Sequence, residues 1–205
     1  MFFVSETIKK LSQEFELIPN ERKGVLESVA SFVGGKVLEQ LTSELIFICT
    51  HNSRRSHIAQ IWAQTAASYF SIPNVNTYSG GTEATAFNPR AVDTLRRIGF
   101  KIDLASSGTN PKYVVRYADE HPPFEVFSKR YNDGGNPNVG FAAIITCTQA
   151  DMNCPIVVGS SIRISLPYDD PKRFDGMAME SDKYTERSLE IGREMLFAFS
   201  QIRKQ

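Results

Sequence analysis

The sequence predicts an α/β fold of three layers, α/β/α, with a four-stranded parallel sheet between helices and a helical extension ahead of it. Three observations lead there. Short, unbroken apolar runs such as LIFICT and FAAIITC read as strands buried on both faces. Segments such as SHIAQIWAQTAASYF carry apolar residues at helical spacing. From Leu45 onward the two kinds of segment alternate, which is the order expected of a parallel sheet covered by helices on both faces.

Residues 1–43 form the N-terminal helical extension. Ser5 is placed to cap SETIKKLSQEF, with Ile8, Leu11 and Phe15 on one face. Asn20 is placed to cap a second helix striped by Val25, Leu26, Val29, Phe32 and Val33, which Gly34-Gly35 should interrupt or end. Both stripes read as packing surfaces. Residues 44–205 form the main domain. LIFICT is its first strand, followed by a helix bearing Ile58, Ile61, Trp62 and Ala66. VNTYSGG is the second strand. NPRAVDTLRRIGF is a helix with Asn88 as cap and Pro89 at its first position. FAAIITC and SIRISLPY are the third and fourth strands, and a helix from about Glu180 closes the chain with Ile191, Met195, Phe199 and Ile202 on one stripe. Between about 108 and 140 the rhythm breaks. Two β-prone runs around DEHPP suggest a hairpin-like excursion, open between a surface insertion, a lid and an oligomer contact.

Composition narrows the function. With 23 Lys+Arg against 23 Asp+Glu there is no net charge to support an extended nucleic-acid footprint. No run is long enough to span a bilayer, and MFFVSETIKK has no basic and apolar pattern of a signal peptide. Three cysteines without framework spacing fit a reducing cytoplasm, where thiols are structural or reactive. His51, His57 and His121 form no ligand spacing with the cysteines or with one another, so no metal and no cofactor are expected.

Chemistry concentrates in CTHNSRRS, residues 49–56, where a strand gives way to a helix. Wrapped over a helix N-terminus, the amides of Thr50, His51, Asn52, Ser53 and Arg54 can face one concavity suited to a tetrahedral oxyanion. Arg55 can hold two oxygens of that anion with its planar fork. Cys49, at the mouth of this positive site, is expected to act as a thiolate nucleophile, with the Ser56 hydroxyl bonded to its sulfur. Asp170, in YDDPKRFDG after the fourth strand, lies on the same sheet edge and is fixed by Pro171. It is the candidate general acid. An inert buried cysteine is the plain alternative for Cys49.

The stretches CTHNSRRS, TYSGGTEATAFNPRAV and DDP, in that order, resemble the low-molecular-weight protein tyrosine phosphatase family from about Leu45 to the C-terminus. Because of TCTQADMNCP the chain looks closest to the thioredoxin-coupled arsenate reductases of that family, with Cys147 and Cys154 on the second and third family cysteines. The resemblance implies a relay. Cys49 attacks arsenate with help from Asp170, Cys147 releases arsenite by forming a disulfide with Cys49, and Cys154 moves that disulfide outward to thioredoxin. Three departures stand out. His51 replaces a glycine, Arg54 a residue that is often cysteine, and Gln60 a glutamate linked to a potassium site. Lys172-Arg173-Phe174 follows Asp170-Pro171 where phosphotyrosine-specific members carry tyrosines. The expected function is arsenate reduction by three thiols. Its rivals are a phosphatase of the same fold using Cys49, Arg55 and Asp170, and a non-catalytic oxyanion-binding regulatory module.

Overall fold

The computed structural model describes residues 1–153 and 156–202. The chain opens with α1 (Ser5–Ser12), a 3-10 turn at Phe15–Leu17 and α2 (Asn20–Leu38). Then come β1 (Ser43–Cys49), α3 (Arg55–Tyr69), β2 (Val75–Gly81) and α4 (Pro89–Ile98). Three strands, β3 (Lys101–Ser106), β4 (Lys112–Arg116) and β5 (Phe124–Val126), precede β6 (Phe141–Ile145). α5 (Thr148–Asn153), β7 (Ser160–Ser165), a 3-10 turn at Pro171–Phe174 and α6 (Glu180–Ser200) complete it.

β2, β1, β6 and β7 form one parallel sheet in that spatial order. Alternation along the central strands divides the core in two. Leu45 and Phe47 of β1, with Ala142 and Ile144 of β6, join the large cluster that contains Trp62 of α3 and Met195 of α6. Ile46, Ile48, Ala143 and Ile145 face the other way, into a smaller cluster with Cys147 and Ala150 of the α5 segment. The three-layer α/β/α arrangement is therefore lopsided, with long helices on one face and a short one on the other. From β1 the chain crosses to β2 on one side, and from β6 it crosses to β7 on the other. The strand order reverses between β1 and β6, and in such sheets the crevice beyond the carboxyl ends at that point is where ligands sit. Cys49 ends β1, and Cys147 follows the end of its neighbour β6.

The helical extension shares the main core. Ile8, Leu11, Leu26, Val29 and Val33 are fully buried with residues of α3 and α6. Its caps differ from expectation. Ser5 is the first helical residue, and its hydroxyl donates to the Phe2 carbonyl. Pro19 rather than Asn20 precedes α2. α2 also runs through Gly34-Gly35 to Leu38, because the face near Gly34 packs on the end of the chain, where a Cβ would lie 3.9 Å from Ile202. Tertiary packing outweighs a glycine penalty of about 1 kcal/mol per residue. Asn88 caps α4 as expected, accepting from the Arg90 amide at 3.0 Å. A glycine also permits a close helix contact. A Cβ on Gly192 of α6 would stand 2.7 Å from the ring of Trp62, whose indole N–H donates to Ser188.

The excursion is larger than a hairpin. β3, most of whose side chains are exposed and which carries no apolar run, pairs antiparallel with β4, and β4 pairs with β5. No helix among the described residues is long and apolar enough to cross a membrane.

Arg22 of α2 reaches the carboxyl edge of the sheet. Its Nε and Nη2 donate to the two oxygens of Glu194 at 2.7 and 3.0 Å, its Nη1 donates to the Pro167 carbonyl at 2.9 Å, and it lies 4.6 Å over the Tyr168 ring. Glu194 is only 3% exposed. Removing one member of a buried pair strands the other charge, whereas replacing both by apolar groups is often neutral. Arg22→Met is expected to cost about 3 kcal/mol in urea unfolding, and adding Glu194→Leu to restore most of that loss.

Candidate active site

The segment from Cys49 to Ser56 turns its carbonyls outward, onto the scaffold. Cys49 O accepts from the Thr82 amide at 3.2 Å, and Thr50 O from the Glu83 amide at 2.8 Å and the Thr82 hydroxyl at 3.1 Å. His51 O accepts from the hydroxyls of Thr85 and Ser128 at 2.9 and 3.1 Å. Ser53 O accepts from the amide of Asn88, the cap of α4, at 2.8 Å. In a planar trans peptide the N–H points opposite to the C=O. The amides of Thr50, His51, Asn52 and Arg54 therefore face the concave side, a geometry that can receive an oxyanion. Gly81 permits the close fit behind the loop, since a Cβ there would lie 2.7 Å from Thr50 O and 2.8 Å from Asn52 N.

Backbone strain sits at Asn52, with φ of 42°, and not at His51. Asparagine tolerates that region better than most residues, and its side chain is fixed at both ends. Oδ1 accepts from the Lys129 amide at 2.8 Å, and Nδ2 donates to Ser56 Oγ at 2.9 Å. Ser56 Oγ thereby has its own proton free for Cys49 Sγ, 3.2 Å away. Cys49 is 3% exposed, and its sulfur sits at the end of a chain of hydrogen bonds from Lys129 through Asn52 and Ser56.

Arg55 opens α3. Its Nη1 donates to Tyr168 O at 2.9 Å and its Nη2 to Asp170 Oδ2 at 2.8 Å. Its Nε is buried with no partner among the described residues. Asp170 also accepts from the Lys172 amide at 3.0 Å, capping the short turn that Pro171 begins. β7 is carried to this edge by the Tyr168 amide bonding to Thr146 O at 3.1 Å. Arg54 is committed elsewhere. Its Nε donates to the Tyr184 hydroxyl at 2.8 Å and its Nη2 approaches Asp175 at 3.4 Å, so what it offers the concavity is its amide. His51 is half-exposed, with Nε2 3.9 Å from Glu83. Cys147 is fully buried, with Sγ 3.4 Å from the Thr50 hydroxyl and 3.3 Å from the Ala150 amide, which donates to it. Cys154 lies outside the described residues.

Several contributors had no sequence signal of their own. Ser128 and Lys129 arrive from the excursion, and Asp175 and Tyr184 from beyond the Asp170 turn. Only the Gly80-Gly81 pair ending a strand was a visible hint, since glycine in a strand often marks a close backbone approach. Gln60 is buried on α3 with its amide donating to Thr77 O at 3.0 Å. No group of three or more His, Cys, Asp or Glu side chains able to hold a metal occurs among the described residues.

His57, behind the loop, stacks on Phe87 at 4.2 Å and bonds Ser79 through Nδ1 at 3.0 Å. Burial, with the Lys129 cation adding to it, pushes its pKa down from 6.5 to about 3. Unfolded, the imidazole binds a proton near its ordinary value, and folded it stays neutral. Its contribution to stability is full above about 6.5 and is lost as pH falls toward about 3, by at most about 1.4 kcal/mol per pH unit. In urea unfolding at a series of pH values below 6.5, His57→Gln is expected to lose stability less steeply than the parent.

No family model matches the sequence. Arsenate reductase 2 of Staphylococcus haemolyticus (strain JCSC1435) is 27% identical over 127 residues, covering 62% of this chain and 77% of that protein. An arsenate reductase of Staphylococcus aureus (strain Newman) is 26% identical with the same coverage. The crystal structure of a YwlE mutant from Bacillus subtilis superposes with a TM-score of 0.50 at 16% identity, covering 80% of this chain and 100% of that one, a likeness of fold. Over about three fifths of its length the chain is thus similar in sequence to arsenate reductases, and its fold is like that of the YwlE structure.

Proposed function

We propose that this protein reduces arsenate to arsenite through a relay of Cys49, Cys147 and Cys154, with thioredoxin as the final reductant. The observation that carries this reading is the position of Cys147, a second buried thiol whose sulfur touches Thr50, the residue after Cys49. A phosphatase needs only the first thiol.

Arsenate enters the cup of amides, and an oxygen of it satisfies the unpaired Nε–H of Arg55, a donor that is costly to leave buried alone. The Cys49 thiolate attacks arsenic, and an arsenate oxygen leaves as water. Asp170 supplies a proton to that oxygen. Arg55 Nη2 and Asp170 Oδ2 are paired at 2.8 Å, so the anion must first draw the guanidinium toward itself and free Asp170 for the leaving oxygen. The Cys147 thiolate then attacks Cys49 Sγ. The sulfur–arsenic electron pair passes to arsenic, arsenite departs as As(III), and a Cys49–Cys147 disulfide remains. The Cys154 thiolate attacks Cys147 Sγ and expels Cys49 as thiolate, leaving Cys147–Cys154 for the thioredoxin dithiol to reduce.

Geometry attaches one condition. The six residues of α5 separate Cys147 from Cys154. Six helical residues advance about 9 Å, farther than the ~7 Å between Cα atoms that a disulfide spans. α5 must therefore unwind for the last exchange.

The test couples NADPH oxidation, through thioredoxin and its reductase, to arsenate, alongside aryl phosphate hydrolysis. Cys→Ser at 49, 147 and 154 should each abolish arsenate turnover, and only the change at 49 should abolish hydrolysis. Arsenate turnover that survives the changes at 147 and 154 would sink the relay. Asp170→Asn is expected to slow aryl phosphate hydrolysis by about two to four orders of magnitude.

A further inference from the structure

Besides Ala150, which packs in the small apolar cluster, α5 is tied to β7 through Asp151. Asp151 accepts from the Ser165 hydroxyl at 2.8 Å through Oδ2 and from Arg163 Nη2 through Oδ1. The same Nη2 donates to the Asp151 main-chain carbonyl at 2.9 Å. Both partners stand on β7, opposite Ala143 and Ile145 of β6 in the parallel register. A single residue of the short helix is thus held by side chain and main chain together, across the sheet strand next to the one that delivers Cys147. Asp151 also donates its own amide to Cys147 O at 3.0 Å, and Ala150, one residue earlier, donates to the Cys147 sulfur. Winding of α5 and burial of Cys147 are therefore one structural fact. The pair is sheltered but not sealed, with the Arg163 and Asp151 side chains 24% and 29% exposed. The next residue, Met152, is 71% exposed, so its apolar side chain does not hold the helix down.

We propose that Asp151, gripped by Arg163 and Ser165, is a latch that keeps α5 wound over Cys147, and that its release limits how fast Cys147 passes its disulfide to Cys154. The inference rests on the thiol relay for its second half only. In the latched state Cys147 stays buried beside Thr50, the residue after Cys49, which favours arsenite release before the disulfide migrates. With the latch open, the Cys154 thiolate attacks Cys147 Sγ, the Cys49–Cys147 bond breaks, and Cys49 leaves as thiolate with no net change in oxidation state. Asp151 touches neither substrate nor sulfur through its side chain, which makes it a positioning residue.

The experiment compares the parent with Asp151→Ala, Asp151→Asn and the milder Ser165→Ala, each checked for a native circular dichroism spectrum. Iodoacetamide labelling of the reduced proteins is followed cysteine by cysteine by mass spectrometry, and Cys147–Cys154 formation after addition of arsenate by rapid quench. Loss of a charge-assisted hydrogen bond should raise Cys147 labelling by roughly tenfold in Asp151→Ala. Asp151→Asn and Ser165→Ala should fall between that variant and the parent. Cys49 labelling and aryl phosphate hydrolysis should stay at the parental level, which a general loosening of the fold would not allow. Disulfide transfer should accelerate in the same order as labelling. Unchanged Cys147 labelling in Asp151→Ala overturns the latch. Raised labelling with no Cys147–Cys154 disulfide in any of the proteins overturns the gating role and points to failure of the relay itself.

Discussion

The structure depends on where eight residues send their backbone carbonyls. Between Cys49 and Ser56 the chain must leave a buried strand and enter a helix, and every polar group it passes needs a partner. Carbonyls of Cys49, Thr50, His51 and Ser53 find theirs in the 82–88 segment and in Ser128, all on the outer side. The amides are left pointing inward by peptide planarity alone. A cup of this kind cannot be built from its own sequence, because the groups that hold it open belong to other parts of the chain. Asn52 takes the one left-handed conformation in the loop, and its side chain converts that strain into a fixed link from Lys129 to Ser56.

Segments that look peripheral are coupled to this cup. Ser128 and Lys129, from the excursion, brace the loop from behind. Arg22, from the helical extension, holds Pro167 and stacks on Tyr168, and the carbonyl of Tyr168 in turn holds Arg55. The path from α2 to the anion-facing guanidinium is thus two contacts long. On the opposite side, Arg54 joins the loop to Asp175 and Tyr184, and Asp175 accepts from the Tyr184 hydroxyl at 2.7 Å. The turn that carries Asp170 is therefore fastened to the loop at both of its ends.

The sheet supplies the remaining piece of geometry. β1 and β6 are neighbours, and the connection direction reverses between them, so the residues following both strands open into one crevice. Two thiols ninety-eight positions apart in sequence reach that crevice because Ile48 stands opposite Ile145. The Thr50 hydroxyl lies 3.4 Å from the second sulfur, and both cysteines belong to the same small apolar cluster.

Much of the proposed site's layout was legible from the sequence, because most of its members are consecutive. Cys49, Arg55 and Ser56 fall within one loop, and Asp170 is marked by the proline after it. The parallel strands announced themselves by unbroken apolar runs, and Asn88-Pro89 marked the start of α4. Local signals misled where packing outweighed them. Ser5 and Asn20 lie inside their helices, and two glycines that should break α2 do not, since its burial against α6 outweighs a small propensity cost. β3 escaped notice because KIDLAS lies at an edge, where most of its side chains are exposed and no apolar run develops. Tertiary structure alone decided that Arg54 turns to Tyr184, that Arg22 supports Arg55, that Asp151 is tied to β7, and that Ser128 and Lys129 hold the loop. The physical reason is the same in each case. A propensity or a motif is a property of neighbours along the chain, whereas a hydrogen bond between residues a hundred positions apart exists only once the sheet has brought them together.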